Sequence, residues 1–358
     1  MYKVTLIGAG ERGEAYCNAL RERNDIQFCT VCDVNERAEK AAHIYGFRNI
    51  EKDYRKAISE SRPDIVIVTV PAFLHCDVSI YALKNGANVL CEKPLDLSLK
   101  KCFELKNVID MTGKHVAIGL QYHNIKIQRA VKHLFNNRLI GNDVVINYID
   151  LREIRTKIAM RDAKTGNGGP LVDMTCHFVD LMRWFTGSDP DSVYSQWKTY
   201  SYGKADNKDI MLIAPDTGLL TITYESGDIL NVNLCWGLPH KSGGYETFFG
   251  YGPKGYFKPV SYNSQEDLVI IGENEEKKVI KISVEEASEL INPQSTVLNN
   301  LIMAIEGKGI YYSTINDGII SLATSLAALK SSITGRSVTI KEILEQMPSV
   351  EEILKGGE

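Results

Sequence analysis

Lys3-Val4-Thr5-Leu6-Ile7-Gly8-Ala9-Gly10-Glu11-Arg12-Gly13 is the stretch on which the fold turns. A short apolar run meets a glycine, glycines recur at the third and sixth positions, and a helical pattern continues through Ala19-Leu20. Strand, glycine turn and helix in that order form the dinucleotide fingerprint in its required context. Gly8 allows the tight turn, Gly10 lets the backbone approach a pyrophosphate, and Gly13 lets the helix pack on the sheet. The loop residues Ala9, Glu11 and Arg12 line the same approach, where helix-start N–H groups face phosphates. The next strand, Ile26 to Cys32, ends in Asp33, about twenty residues after Gly13, where an acid accepts from ribose hydroxyls. That acid repels the extra phosphate of NADP, so NAD is favoured, while Arg37 in the following helix keeps NADP open. A glycine turn without a ligand is the competing reading, and Asp33 argues against it.

Alternation continues downstream. Helices are expected over Glu36–Tyr45, Tyr54–Glu60, His75–Asn85 and Leu99–Thr112, and buried strands over Asp64–Val70, Asn88–Cys91 and His115–Leu120. This rhythm predicts an α/β fold, a doubly wound parallel sheet of about six strands, forming an NAD-binding domain over residues 1–121. Ligands bind at the carboxyl ends of such strands. Thr69, Val70, Pro71 and His75 stand at one of these ends and are candidates to line the nicotinamide side; for His75 the competing reading is a surface position at a helix start. Glu92 and Lys93 stand at another end, where Pro94 stops the strand. A buried substrate-oxygen contact and an ordinary surface ion pair are both open readings of Lys93.

Residues 122–358 change style. A helix over Ile127–Phe135 and a long strand over Val144–Arg152 precede the loop Lys164–Pro170 and a helix over Leu171–Phe185. Strand-like stretches follow around Val193–Tyr200, Ile210–Ile213, Gly218–Tyr224, Ile229–Trp236, Thr247–Tyr251 and Leu268–Ile271. Short polar turns between them predict a large, open, mostly antiparallel sheet in a C-terminal α+β domain for substrate binding and oligomerisation. A helix near residues 315–334 is expected to pack back toward the first domain. The Leu171–Phe185 helix carries Asp173, His177 and Asp180 on one face. A histidine between two carboxylates suits general acid–base work; incidental pairing on a surface helix is the competing reading.

With 41 basic and 45 acidic residues, the chain offers no basic face for nucleic acid or an anionic membrane. No stretch is apolar enough to span a bilayer and no signal peptide is apparent at the start, so a cytoplasmic protein is expected. The eight cysteines sit mostly in apolar contexts. Cys29 and Cys32 match a redox spacing but lie within a strand, facing opposite sides, and no cysteine–histidine spacing suggests a metal.

The motifs Gly8–Gly13 with Asp33, Pro71-Ala72-Phe73-Leu74-His75, Glu92-Lys93-Pro94, Gly168–Asp180, and Asn316-Asp317-Gly318 through Thr334-Gly335-Arg336 resemble those of the Gfo/Idh/MocA oxidoreductases. The resemblance spans almost the whole chain. It implies a catalytic group of Lys93, Asp173 and His177, with His177 as general base and Lys93 stabilising the substrate oxygen. Ala72, Thr175 and Gln121-Tyr122-His123-Asn124 depart from the family pattern without removing a catalytic residue. Gln121 joins the cofactor candidates; His123 and Arg152 join Lys93, Asp173 and His177 as substrate candidates. The implied protein is an NAD-dependent dehydrogenase of a sugar, inositol or related polyol, and the open sheet of the second domain, which should bury a face against another copy, predicts a homodimer or homotetramer. Two alternatives are a glycosidase that retains NAD through oxidation, elimination and reduction, and a non-catalytic NAD-binding sensor. Asp33→Ala is expected to weaken NAD by about 1–3 kcal/mol, and NADP far less; equal losses in cofactor titrations would rule out the assignment.

Overall fold

A computed structural model describes residues 1–203, 209–259, 267–272, 277–281, 293–309 and 313–356. The first compact unit contains β1 (Tyr2–Ile7), α1 (Glu11–Leu20), β2 (Ile26–Cys32), α2 (Arg37–Tyr45), β3 (Asn49–Glu51), α3 (Tyr54–Ser61), β4 (Ile65–Val68), α4 (His75–Lys84), β5 (Asn88–Cys91), α5 (Leu99–Thr112) and β6 (Val116–Ile118). Its strands are all parallel, in the order β3-β2-β1-β4-β5-β6. That is the doubly wound order expected from the sequence. Every residue of β4 and β5 is buried, because helices cover both faces and alternation is lost. Local chemistry sets the helix ends: Asp53 caps α3 by accepting from the amide of Arg55, and Gly46 closes α2 at φ 75°.

The second unit contains α6 (Lys126–Asn136), β7 (Val145–Glu153), α7 (Gly169–Thr186), β8 (Pro190–Lys198), β9 (Thr217–Tyr224), β10 (Ile229–Leu238), β11 (Tyr245–Gly252), β12 (Gly255–Pro259), β13 (Asp267–Gly272) and β14 (Lys277–Lys281). Four elements lie farther along the chain: α8 (Pro293–Ile305), α9 (Ile315–Thr334), β15 (Val338–Thr339) with α10 (Ile340–Gln346), and α11 (Val350–Gly356). The sheet order is β14-β13-β12-β11-β7-β10-β9-β8-β15, antiparallel throughout except for β7 with β10. Alternation along β7 turns Ile146, Tyr148 and Asp150 inward. α7 packs on this inner face, where Tyr148 stacks on Phe178 at 4.4 Å between ring centroids. The outer face leaves Tyr194, Leu219, Phe249, Tyr251 and Tyr256 exposed.

Several elements differ from the sequence reading. β3, β12, β14 and β15 are additional strands. Ile210–Ile213 forms no strand; Ile213 makes one isolated bridge to Asp162. The Arg161–Thr165 loop takes up this segment's hydrogen bonds: Ala163 N–H donates to Leu212, and Met211 N–H donates to Asp162 Oδ2. The domain boundary expected after residue 121 is also more convoluted. α8 and the start of α9 through Ile319 group with the first unit, and Leu97–Leu99 with the second. Val297, Leu298, Leu301 and Ile302 of α8 enter the same core as Val4, Leu6, Ile67 and Leu90. Leu97 and Leu99 are held by backbone bonds to Val350 and Pro348.

Candidate active site

The fingerprint loop is built by close backbone contacts. Gly8 has φ 100°, and a Cβ there would lie 2.7 Å from the carbonyl of Thr69. A Cβ at Gly13 would lie 2.3 Å from Gly8 O, so α1 approaches β1 only because that methyl is missing. Thr69 Oγ1 donates to Gly8 O at 2.6 Å and fixes the turn against the end of β4. Gly10 begins α1 without a side-chain cap, and a Cβ there would meet only Arg37 Nη1 at 3.5 Å. Glu11 and Arg12 open the helix and are exposed. Asp33, at the end of β2, accepts from the amides of Ala9 (2.8 Å) and Asn35 (2.9 Å). A crowded turn, an uncapped helix start and an anchored acid fit a dinucleotide.

At the neighbouring strand ends, Val70 and Pro71 lead into α4. His75 is buried, its Nδ1 2.7 Å from Pro94 O and its Nε2 2.8 Å from Val70 O. The ring therefore clamps the two strand ends together and is no surface residue. Glu92 and Lys93 are buried as well, at 3% and 6% exposure, which removes the surface ion-pair reading. Glu92 accepts from Tyr16 Oη at 3.0 Å and from the Lys93 amide at 3.1 Å. Burial pushes its carboxyl above the usual 4.5, against the opposing pull of Arg12, Lys93 and Tyr16. Gln121 is buried just past β6.

In the second unit, Gly168 (φ 79°) and Gly169 (φ 76°) turn the chain into α7, with Pro170 in its first turn. Of eighteen residues in α7, fifteen are buried, so the surface-helix reading fails. Asp173 accepts from Asn167 Nδ2 at 3.1 Å. The His177 ring stacks on Tyr122, with centroids 3.9 Å apart and planes 5° from parallel. Asp180 Oδ2 lies 2.8 Å from His123 Nε2, and the His123 ring packs 4.7 Å from that of Trp184. Consecutive residues Tyr122 and His123 thus engage α7 one turn apart. Sequence spacing put Asp180 beside His177 but did not show these partners. Arg152, at the end of β7, pairs with Asp150 at 2.5 Å. Lys93 belongs to the first unit, and Asp173, His177, His123 and Arg152 to the second.

Among the described residues, no cluster of His, Cys, Asp and Glu is suited to a metal, and no helix is long and apolar enough to cross a membrane. Burial pushes the Cys32 thiol up to about 12 and raises that of Cys29 as well, which disfavours the reactive thiolate at both.

Residues 2–120 match the model of an oxidoreductase family's NAD-binding Rossmann fold, and residues 146–340 that of its C-terminal alpha/beta domain. A glucose-6-phosphate 3-dehydrogenase of Bacillus subtilis is 27% identical over 216 residues, 58% of this chain and 61% of that protein's length. A 1,5-anhydro-D-fructose reductase of Ensifer adhaerens is 23% identical over 95% of this chain and 99% of its own. The crystal structure of myo-inositol 2-dehydrogenase from Lactobacillus plantarum superposes with a TM-score of 0.77 at 22% identity, covering 94% of this chain and 99% of that one. This likeness establishes a shared fold.

Because its buried carboxyl titrates above the usual 4.5, Glu92 holds its proton more tightly folded than unfolded. Its contribution to stability is therefore full below 4.5 and is lost as pH rises through the folded value. Glu92→Gln is expected to gain stability relative to the parent as pH rises from 4.5 toward neutrality. Urea melts across that range check this, and a constant difference would contradict it.

Proposed function

The chain belongs to the Gfo/Idh/MocA oxidoreductase family, and from that footing we propose an NAD-dependent dehydrogenase acting on a secondary alcohol of a sugar, inositol or related polyol. The observation that carries the reading is the buried imidazole of His177, one turn after Asp173 on a helix that itself lies in the core. An imidazole and a carboxylate are costly to bury without polar partners, and ionisable groups kept in a core at that cost cluster at functional sites. The names of the relatives, each an enzyme of sugars or inositol, support the substrate class.

The loop Gly8 to Gly13 holds the dinucleotide's phosphates and Asp33 its ribose. When bound, NAD supplies the hydride acceptor. His177 takes the proton of the substrate hydroxyl. Asp173 orients a substrate hydroxyl or the imidazole, and the Tyr122 stack keeps the ring in one plane. Lys93 holds the substrate oxygen; its burial leaves its charge poorly screened, which strengthens its hold on a developing alkoxide. The eight cysteines are all free and buried, which supports a reducing compartment such as the cytoplasm.

His177→Ala and Lys93→Ala are expected to lower turnover by about two to four orders of magnitude, the range for a positioned acid–base or charge-stabilising group. NAD affinity should change little for His177→Ala and modestly for Lys93→Ala. The assay is NADH absorbance over a sugar and polyol panel; near-normal turnover in His177→Ala would end this mechanism.

The exposed aromatic outer face of the large sheet supports a homodimer or homotetramer, since apolar surface of that kind is ordinarily covered. Light scattering at micromolar concentration is expected to give a multiple of 40.0 kDa. A stable monomer would refute it.

A further inference from the structure

At the end of β7 and just beyond it, residues Arg152 to Thr156 line a cleft of about 470 Å³ together with His240, Gly243 and Gly244. A volume of that order suits a small molecule. The cleft lies wholly within the second unit. Strand alternation puts Arg152 on the same inner sheet face as Asp150 and Tyr148, the face that α7 covers. Buried Trp236 of β10 stands beside it, with the guanidinium carbons of Arg152 and Arg155 at 5.4 and 5.0 Å from its ring centroid.

The charges around the cleft are unequally committed. Arg152 is offset by Asp150 at 2.5 Å and Glu246 at 3.4 Å, and Trp236 Nε1 also lies 3.4 Å from Asp150. Glu153 turns its carboxylate to the amide of Gly243 at 2.8 Å, and the bond from the Lys241 amide, followed by that from Gly243, holds it below the usual carboxylate range. Arg155 is different. Its Nε is buried without a hydrogen-bond partner among the described residues, and no carboxylate there pairs with it. A buried guanidinium donor is normally satisfied, and the cation–π contact of Arg155 with Trp236, at 5.0 Å, supplies no hydrogen-bond acceptor.

We propose that this cleft holds an anionic group carried by the substrate, a carboxylate or a phosphate, with Arg155 as its receptor. The word substrate rests on the dehydrogenase reading above; the anion site itself does not. A planar guanidinium matches two oxygens of either group, and such charge-assisted pairs exceed neutral hydrogen bonds in strength. Arg155 then sets specificity by separating sugar acids or sugar phosphates from neutral sugars of the same stereochemistry.

The test is calorimetric titration of the NADH-saturated protein with matched ligands: D-glucose, D-gluconate and D-glucose 6-phosphate, then myo-inositol and myo-inositol 1-phosphate. In at least one series an anionic member should bind at least about tenfold more tightly than its neutral parent, as a charge-assisted contact implies. Preference for gluconate assigns a carboxylate, and preference for a phosphate ester assigns a phosphate. Arg155→Gln should cut the anionic-to-neutral ratio by roughly 10- to 100-fold, and Arg155→Lys should restore part of it. Equal affinities within every series, or no binding in any, overturn the proposal from the parent protein alone, whether or not the variants fold. An unchanged ratio in folded Arg155→Gln overturns it too. NADH formation separates this from the reading it rests on. An anion that binds through Arg155 but is never oxidised supports the cleft and counts against the dehydrogenase. Oxidation of neutral polyols with no anion preference does the reverse.

Discussion

A methyl group at Gly13 would sit 2.3 Å from the carbonyl oxygen of Gly8, a distance no side chain tolerates. That missing carbon lets α1 descend onto β1 and Gly8 lie against Thr69 at the end of β4. Once the helix is down, Tyr16 on its inner face reaches Glu92 at the end of β5. One steric allowance in the first turn thus reaches a charged strand end across the sheet. The opposing terms are unequal: the packing gain spreads over many apolar contacts, while the burial of Glu92 is concentrated in one carboxyl.

α7 shows the same trade in the second unit. Its aliphatic and aromatic residues lie among apolar neighbours, and Asp173, His177 and Asp180 are carried inward with them. Each is met by a polar or aromatic neighbour: Asn167 for Asp173, Tyr122 for His177, His123 for Asp180. Buried groups with fixed neighbours lose few degrees of freedom when a reaction begins, which is the physical content of preorganisation. The penalty is the desolvation of these groups inside an otherwise apolar helix, which their neighbours offset.

Much of this was legible beforehand. The glycine spacing, Asp33, the apolar runs of β4 and β5, and the three polar residues on α7 are local patterns, and local patterns report periodicity and turns faithfully. What was hidden depends on partners distant in the chain. Asn49-Ile50-Glu51 has no alternation long enough to read, and it is a strand only because β2 pairs with it. Ile210–Ile213 has the composition of a strand, but the Arg161–Thr165 loop claims its hydrogen bonds. α8 shows an apolar face without showing which core that face joins. His75 stands at a strand end in the sequence, but no spacing shows that its ring is buried between two carbonyl oxygens. The stack of Tyr122 on His177 joins residues more than fifty positions apart, beyond any spacing rule.

The large sheet is two meanders, β8-β9-β10 and β11-β12-β13-β14, with β7 wedged between β10 and β11. Within the meanders, β9 turns into β10 and β11 into β12 through a few residues each, whereas β7 pairs with strands that begin far downstream, Ile229 in β10 and Tyr245 in β11. Loop closure over such separations is slow compared with hairpin formation. A ribosome releases β7 before the other strands of this sheet, and its neighbours β10 and β11 follow only after β8 and β9, so Val145-Ile146-Asn147-Tyr148-Ile149 waits as an unpaired, β-prone ribbon. Asp150, Arg152 and Glu153 follow that ribbon at once and act as gatekeepers against its pairing with other nascent chains.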